Sequence, residues 1–176
     1  MKNKWIKRFF PIFALLLLAP WPIAYAHDYT NGTADQDTVR LEVAEDAVAP
    51  TWTAFGKAIG GVTPGDLFYI DATDNPADIQ VTLYITNAHE LISCYRNLML
   101  KVGVYAQSDT DEWDKASMSN GELVPETLIT LRNGQVSFTL QGCAKYKVTI
   151  DGGSFYCTTT NTDSGSLSPQ FYLEVD

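Results

Sequence analysis

Hydrophobic and polar residues alternate along most of the chain after residue 38. Val81, Leu83 and Ile85, for example, alternate with Thr and Tyr, which is the period of a strand with one buried face. Short segments of this kind, separated by turn residues, predict an all-β chain folded as an antiparallel β-sandwich. The predicted strands are Val39–Val43, Leu67–Asp71, Ile79–Thr86, Met99–Ala106, Thr127–Leu131, Gln135–Leu140, Tyr146–Ile150, Ser154–Thr159 and Gln170–Val175.

Two turns and one short helix interrupt this pattern. Asn-Gly at 133–134 predicts a type I′ hairpin, because both residues tolerate the positive φ angles that this turn requires. Asp-Gly-Gly at 151–153 predicts a second hairpin in the same way. The segment 87–91 begins with Asn87, a favourable N-cap residue, and has Glu90 at the third helical position, so we expect a short helix with a capping box.

The first 26 residues have the pattern of a secretory signal peptide. Four basic residues precede an apolar run, Phe9–Leu18, and Ala24 and Ala26 form a small-residue cleavage site. The run has about ten residues, whereas about 20 are needed to span a bilayer, and no later segment is apolar enough. We therefore expect no transmembrane segment, and a secreted mature chain that begins at His27 and acts outside the cell or at its surface.

The mature chain is strongly acidic. The whole chain has 12 Lys and Arg against 21 Asp and Glu, and removing the four basic residues of the signal changes the net charge from −9 to −13. Such a surface repels the phosphates of nucleic acids, so no nucleic-acid partner is expected. It attracts cations, and calcium is the abundant hard cation outside cells.

Residues 27–44 form an N-terminal arm ahead of a β-sandwich domain at 45–176. The polar segment His27–Asp37 has no apolar face, and we expect it to be mobile. Val39, Leu41 and Val43 then begin a strict alternation. This strand has two interpretations: it is the first strand of its own sandwich, or it is donated to the open sheet edge of another molecule.

The segment Ile79–Tyr105, IQVTLYITNAHELISCYRNLMLKVGVY, resembles the core of the cannula-type extracellular tubule subunits. It combines a strand, a Thr-Asn-Ala turn, a short Glu-Leu helix, a Tyr four residues on and an alternating strand. ETLITLRNGQVSFTL and SPQFYLEVD resemble that family's later strands, and the TasA and camelysin-like fibre proteins are more distantly similar. Three cysteines and a short glycine-rich region at 60–65 depart from the family pattern.

The resemblance implies a jelly-roll-like sandwich whose subunits assemble outside the cell, with calcium at their contacts. It favours the donated-strand interpretation, in which Val39, Leu41 and Val43 pair with a neighbouring subunit. Because a head-to-tail contact does not close on itself, such a chain would build a homopolymer, either a filament or a tubule. A secreted structural protein of this kind is the expected function.

Acidic loops are the candidate calcium sites. Carboxylates close together in a loop can supply several of the roughly six to eight oxygens that calcium prefers, and a solvated loop without metal is the alternative. The candidate ligands are Asp109, Asp111, Glu112 and Asp114 in one loop, Asp71, Asp74 and Asp78 around a second, and Asp35 and Asp37 on the arm.

His27 and His89 raise a third possibility, an N-terminal-histidine copper protein. The terminal amine and ring of His27 would bind copper together with the ring of His89, which requires the two to converge. Against this, His27 precedes a polar leader rather than a strand, and His89 lies at a predicted helix start.

Cys94, Cys143 and Cys157 permit three disulfide pairings after export, each with one thiol left over. The alternatives are one structural bridge with a buried thiol, or a covalent link between subunits. No spacing in the sequence chooses among them.

A carbohydrate-binding or adhesive module is the main alternative function, since exposed aromatic side chains stack on sugars and the partner would be a polysaccharide or a cell surface. Trp113, in the acidic loop, is the aromatic residue placed for a partner. Several others lie within strand patterns and are expected in the core or in cross-strand pairs: Phe68, Tyr84, Phe138, Phe155, Tyr156, Phe171 and Tyr172.

Catalysis is not expected. The sequence has no G-x-S-x-G, no P-loop, no G-x-G-x-x-G after a strand and no C-x-x-C. A serine triad would depend on His89 alone, and nothing singles out a pair of carboxylates for glycoside hydrolysis.

Overall fold

The computed structural model describes residues 23–25, 31–34, 37–45, 50–53, 59–118, 120–158 and 168–176. Most of these lie in strands, and a single short helix, α1 (Ala88–Cys94), joins two of them. The strands are β1 (Ile23–Tyr25), β2 (Asn31–Ala34), β3 (Arg40–Val43), β4 (Thr51–Thr53), β5 (Ile59–Thr63), β6 (Gly65–Asp71), β7 (Ile79–Ile85), β8 (Tyr95–Gln107), β9 (Trp113–Lys115), β10 (Thr127–Thr130), β11 (Gln135–Leu140), β12 (Lys145–Cys157) and β13 (Phe171–Val175).

The strands form two sheets. In the four-stranded sheet the order is β11-β7-β13-β2. The nine-stranded sheet is built around the long strand β12. On one side β12 pairs with β8, whose far edge pairs with β9 and β10. On its other side β12 pairs with β6 and with β5. Strand β6 pairs in turn with β3, and β5 pairs with β4, which pairs with β1.

The inward faces of the two sheets share one hydrophobic core. Phe68 and Ile150 of the large sheet and Leu83 and Phe171 of the small sheet are fully buried. Inward and outward positions alternate along most of each strand, as the period of two requires. The predicted all-β antiparallel β-sandwich with one short helix is confirmed, with one exception, since β2 pairs parallel to β13.

The predicted hairpin at 133–134 is wrong. The two flanking strands belong to different sheets, because β10 pairs with β8 and β11 pairs with β7. Asn133 instead closes a turn between the sheets: its side-chain oxygen accepts a hydrogen bond from the Thr130 amide at 2.6 Å, and its side-chain nitrogen donates to the Leu128 carbonyl at 3.0 Å.

The predicted hairpin at 151–153 is also wrong, since Lys145–Cys157 is one strand of 13 residues. Gly152, with φ of 140°, lies where the register of β12 against β8 shifts by one residue. Glycine at such a position allows a β-bulge rather than a chain reversal.

The short helix is confirmed and its predicted capping box is wrong. The Asn87 side chain makes no hydrogen bond to the helix it precedes. Its amide nitrogen donates to the Ser168 carbonyl at 2.9 Å, and its oxygen accepts from the Gln170 amide at 2.8 Å. Asn87 therefore ties the start of α1 to the chain entering β13.

The N-terminal arm pairs within its own chain. β2 lies beside β13 in the small sheet, and β3 pairs antiparallel with β6 in the large sheet. Val39 is buried and Leu41 and Val43 are partly buried against the common core. Donation of this strand to a neighbour is therefore unsupported, because these side chains already complete the sandwich that carries them.

No helix within the described ranges is both long enough and apolar enough to cross a membrane. Residues 1–22 of the predicted signal peptide lie outside those ranges. Ile23–Tyr25, just before the predicted cleavage site, pair with β4.

Candidate functional site

The outward side of the nine-stranded sheet carries a band of aromatic and charged side chains, here called the outer face. Cross-strand register places Glu42, Tyr69, Lys147, Tyr105 and Lys115 in one row from β3 to β9. Beside this row, the register aligns Arg40, Asp71 and Lys145 on β3, β6 and β12, and Gln107 with Trp113 on β8 and β9. Because each strand exposes alternate residues, the same strands present Phe68, Val148 and Val104 to the core.

Trp113 reaches across the outer face from its edge. It begins β9, which follows a tight turn at 108–112 in which Asp111 has a φ of 61°. Its ring lies 6.0 Å from the ring of Tyr69, centroid to centroid, at an interplanar angle of 45°. This separation is within the range in which aromatic rings attract each other. The two rings form an aromatic bridge above the strands between them.

Lys147 lies beside this bridge. Its ammonium is 5.1 Å from the Trp113 ring centroid and 5.8 Å from that of Tyr105, and it is 3.4 Å from Asp66 Oδ1. Only 18% of its side chain is exposed. Lys147 therefore supports the aromatic residues from within the face, by cation–π contacts and one ion pair.

Two aspartates fix the tyrosines of the outer face. The Tyr69 hydroxyl donates to Asp66 Oδ2 at 2.7 Å, and the Tyr105 hydroxyl donates to Asp151 Oδ2 at 2.9 Å. Burial, first, and these hydrogen bonds to carboxylates raise the pKa of Tyr69 and of Tyr105 to about 12. Both phenols therefore remain protonated and oriented at any physiological pH.

Asp151 contacts three side chains of this face. Besides Tyr105 it accepts a hydrogen bond from the Thr149 hydroxyl at 2.5 Å, and its carboxylate is 3.4 Å from the Lys115 ammonium. The carboxylate occupies the space above Gly103, where a Cβ would collide with it. A glycine in the middle of β8 is thus explained by the room it leaves for Asp151.

Two open recesses flank the aromatic residues. The first, ≈ 260 Å³ in volume, has Arg40, Glu42, Asp71, Gln107 and Lys145 along its polar side and Tyr69 and Trp113 along its aromatic side. The second, ≈ 280 Å³, is lined by Asp66, Tyr105, Lys147, Thr149 and Asp151, among others. Both offer hydrogen-bond donors and acceptors next to aromatic rings.

The structure does not gather the candidate calcium ligands. Asp109, Asp111, Glu112 and Asp114 are exposed around the turn before and within β9, where the Gln107 side chain donates to Asp111 Oδ1 at 3.3 Å. Within the described ranges, no group of three or more His, Cys, Asp or Glu side chains is arranged to hold a metal ion. Calcium binding by this loop stays a prediction.

The second acidic set is also dispersed. Asp71 accepts hydrogen bonds from the Thr73 amide at 3.1 Å and from the Thr73 hydroxyl at 2.6 Å, and these lower the pKa of Asp71. Asp74 and Asp78 are exposed in the loop that follows. On the arm, Asp37 is exposed and Asp35 lies outside the described residues.

The copper hypothesis stays a prediction, because His27, one of its two ligands, lies outside the described residues. His89 is exposed in the first turn of α1. It does not line either recess of the outer face.

The fold separates the three cysteines into two locations. Cys157 is buried opposite Tyr95 in the β8–β12 register, and the Thr158 amide donates to the Cys94 carbonyl at 2.9 Å. Cys143 is exposed just before the other end of β12, about 40 Å away at the usual rise per residue. Of the three pairings left open, the fold places only Cys94 and Cys157 next to each other.

The aromatic expectations largely hold. Phe68, Phe138, Phe155 and Phe171 are buried, and Tyr84 and Tyr172 form a cross-strand pair on the outward side of the small sheet. The sequence indicated Trp113 as an accessible aromatic residue but missed its partner Tyr69 and the neighbouring Tyr105. The signal that would have indicated them is alternation: Tyr69 lies between the buried residues Phe68 and Ile70, and Tyr105 follows the buried Val104.

No protein-family model and no curated protein matches this chain. Among solved structures it is similar to CpGH89CBM32-6 produced by Clostridium perfringens (13% identity, TM-score 0.29, covering 69% of this chain and 91% of that chain). It is also similar to the CBM22-1 xylan-binding domain of Paenibacillus barcinonensis Xyn10C (10%, 0.27, 88% and 93%) and to a pectin binding carbohydrate binding module (12%, 0.26, 82% and 91%). Similarity at this level does not indicate what this chain binds.

Proposed function

We propose that this chain is an exported, non-catalytic β-sandwich module that binds polysaccharide on the outer face of its large sheet. The observation that carries the proposal is the bridge between Tyr69 and Trp113, whose rings meet 6.0 Å apart between two open recesses. A pyranose ring has an apolar C–H face, which packs on aromatic rings, and hydroxyl groups, which need both donors and acceptors. The outer face presents aromatic rings, hydrogen-bond donors and hydrogen-bond acceptors.

The supporting side chains are held in place before any ligand arrives. Tyr69 is fixed by Asp66 and Tyr105 by Asp151, while Lys147 lies against the aromatic rings. Pre-ordered side chains lose little conformational entropy on binding, which favours affinity at a shallow surface. Recesses of this size suit single sugar units of a longer chain rather than an enclosed small molecule.

The signal-peptide pattern that ends at Ala26 supports export of the chain. Outside the cell, an exported module would encounter polysaccharides. Self-assembly is less well supported than glycan binding, since the strand expected to be donated is paired with β6 of its own chain. No step of catalysis is proposed. Three carboxylates of the recesses, Asp66, Asp71 and Asp151, accept hydrogen bonds from neighbouring hydroxyls, and His89 and the three cysteines line neither recess.

The test is binding of the mature chain to a panel of soluble polysaccharides by affinity electrophoresis and calorimetry. Trp113→Ala should weaken binding to any positive polysaccharide by about 30-fold, since buried tryptophan contacts are typically worth about 2 kcal/mol. Tyr84→Ala is the matched control, because Tyr84 forms a similar pair with Tyr172 (6.4 Å) on the opposite sheet. Binding to no polysaccharide, or equal binding by both variants, would overturn the proposal.

A further inference from the structure

The charges that line the first recess are balanced. Arg40 and Lys145 face Glu42 and Asp71 across its polar side, with Lys145 Nζ at 3.9 Å from Asp71 Oδ2. Arg40 and Asp71 are also cross-strand neighbours in the β3–β6 register. Two cations therefore meet two anions in this recess, and its lining carries no net charge.

The second recess is lined by one cation, Lys147, and two anions, Asp66 and Asp151. Lys147 lies 3.4 Å from Asp66 Oδ1, and Lys115, which does not line the recess, balances the second anion at 3.4 Å from Asp151 Oδ2. The tyrosine hydroxyls that complete the network are neutral. A carboxylate or sulfate entering this recess would have to displace an existing ion pair, since both ammonium groups already have an acid within reach.

The surroundings of the outer face are acidic. The whole chain has a net charge of −9, and −13 without the predicted signal, so the balanced face lies on a negative molecule. Four exposed carboxylates adjoin Trp113 itself: Asp109, Asp111, Glu112 and Asp114. An anionic polymer laid across Trp113 would meet the negative potential of these like charges, which physiological salt screens over about 8 Å.

From this charge balance we infer that the polysaccharide bound on the outer face is neutral, not a polyanion such as a uronate or a sulfated glycan. The inference rests on the proposed function and narrows its ligand. Neutral hydroxyls can accept from Arg40 and Lys145 and donate to Glu42 and Asp71 without breaking the ion pairs. Recognition of this kind is dominated by packing and hydrogen bonds, so it depends only weakly on salt.

The experiment compares each neutral polysaccharide of a panel, such as xylan, mannan, galactan and mixed-linkage glucan, with the same polymer after carboxymethylation. We expect the neutral form to bind more tightly, with affinity changing less than about twofold between 50 mM and 500 mM NaCl. Tighter binding of a carboxymethylated form, weakened by salt, would overturn the neutral-ligand inference and leave the proposed function standing. Binding of neither form would overturn the proposed function itself.

A single charge change sharpens this comparison. Glu42→Gln gives the first recess one net positive charge and keeps the shape of the side chain. It should raise affinity for a carboxymethylated polymer by about two- to fivefold, the range of exposed charge interactions. Asp37→Asn makes the same charge change at an exposed position that lines neither recess, and should leave that affinity unaltered. Equal responses of the two variants would contradict the assigned role of the recess charges.

Discussion

The rings of Tyr69 and Trp113 meet at 6.0 Å although their strands, β6 and β9, lie three positions apart in the nine-stranded sheet. The strands between them, β12 and β8, contribute Lys147 and Tyr105 to the same cluster. The backbone ladders connect β6 to β9 only through these two strands, so the direct contact between β6 and β9 is made by side chains alone.

This contact should be measurable in the absence of ligand. Tyr69→Leu and Trp113→Leu, singly and together, form a double-mutant cycle for the free energy of unfolding in guanidinium chloride. We expect a coupling energy of about 0.5–1.5 kcal/mol, the usual value for an aromatic pair. Strict additivity of the two substitutions would show that the rings do not interact.

Alkaline pH should destabilise the protein through Tyr69 and Tyr105. Each has a pKa of about 12, because burial and an aspartate acceptor favour the neutral phenol, whereas tyrosine in an unfolded chain titrates near 10. Since the folded pKa is the higher one, this stabilisation is complete below about pH 10 and is lost as the pH rises from 10 through 12.

The measurement is the free energy of unfolding at several pH values between 9 and 12, together with phenolate absorbance. The double variant Tyr69→Phe/Tyr105→Phe should lose stability less steeply over this window, although it starts from a lower value because two hydrogen bonds are missing. An identical slope in the variant and the original chain would assign the effect to other groups.

Strand positions were predictable from the sequence because alternation is a local property. Ile79–Ile85 and Gln135–Leu140 were found within one residue, since their buried and exposed positions repeat every second residue. The partner of each strand was not predictable in this way. The dihedral preferences of the Asn-Gly turn at 133–134 fit a hairpin, yet this turn connects the two sheets. Ile129, before the turn, is buried in the large sheet, whereas Val136, after it, is buried in the small sheet.

The candidate site was predictable only in part. Trp113 was found because a large aromatic residue among acids is unusual, but its meeting with Tyr69 depends on the order of four strands. The acids at 109–114 suggested a metal site, whereas the turn points them outward around a tight reversal. These carboxylates are close in the sequence, but the fold does not direct them toward one point where a metal ion could bind.

Gly103 should be intolerant of a side chain. A methyl group there would collide with the Asp151 carboxylate and move it away from Tyr105 and Lys115. We expect Gly103→Ala to lower the free energy of unfolding by about 1–3 kcal/mol, as overpacking does, and to weaken polysaccharide binding.

Gly61→Ala is the matched control for this change. Gly61 lies in β5 of the same sheet, and an added Cβ would meet nothing closer than the Gly153 carbonyl oxygen at 4.0 Å. It should be neutral in both measurements. Similar losses for the two substitutions would indicate a general cost of alanine in these strands rather than displacement of Asp151.

Acid should remove the stability that Asp71 gains from its hydrogen bonds with Thr73. Hydrogen bonds from the Thr73 hydroxyl and amide hold the pKa of Asp71 below its ordinary value. Because the folded pKa is depressed, this contribution to stability is present above the unfolded pKa, near 3.9, and is lost as the pH falls through the folded value. Thr73→Val should raise the pKa of Asp71, observed by NMR titration of its carboxyl carbon, and Thr127→Val, which alters a hydroxyl in β10, should not.

If the N-terminal arm pairs with its own chain, a substitution that disturbs its packing should destabilise an isolated molecule. Strand donation to a neighbour does not predict this effect. Gly32 of β2 packs so closely that an added Cβ would lie 2.5 Å from Leu41 Cδ2 and 2.6 Å from the Leu173 carbonyl oxygen. Since the carbonyl belongs to β13, it cannot move without distorting the small sheet. Gly32→Ala should therefore lower the melting temperature of the isolated mature chain, and the neighbouring Thr33→Ala, which loses only a 2.9 Å contact with the Tyr172 hydroxyl, should do so less.

Concentration separates pairing within one chain from donation between chains. A folded unit completed by its own arm melts at the same temperature over a hundredfold range of protein concentration, whereas a unit completed by a neighbour melts higher as concentration rises. We expect no dependence, and a monomer by light scattering with or without calcium. A rise in melting temperature with concentration, accompanied by filaments in electron microscopy, would show that Val39, Leu41 and Val43 leave β6 to pair with another molecule. In that case the arm would be a donated strand whose pairing within the chain is the resting state.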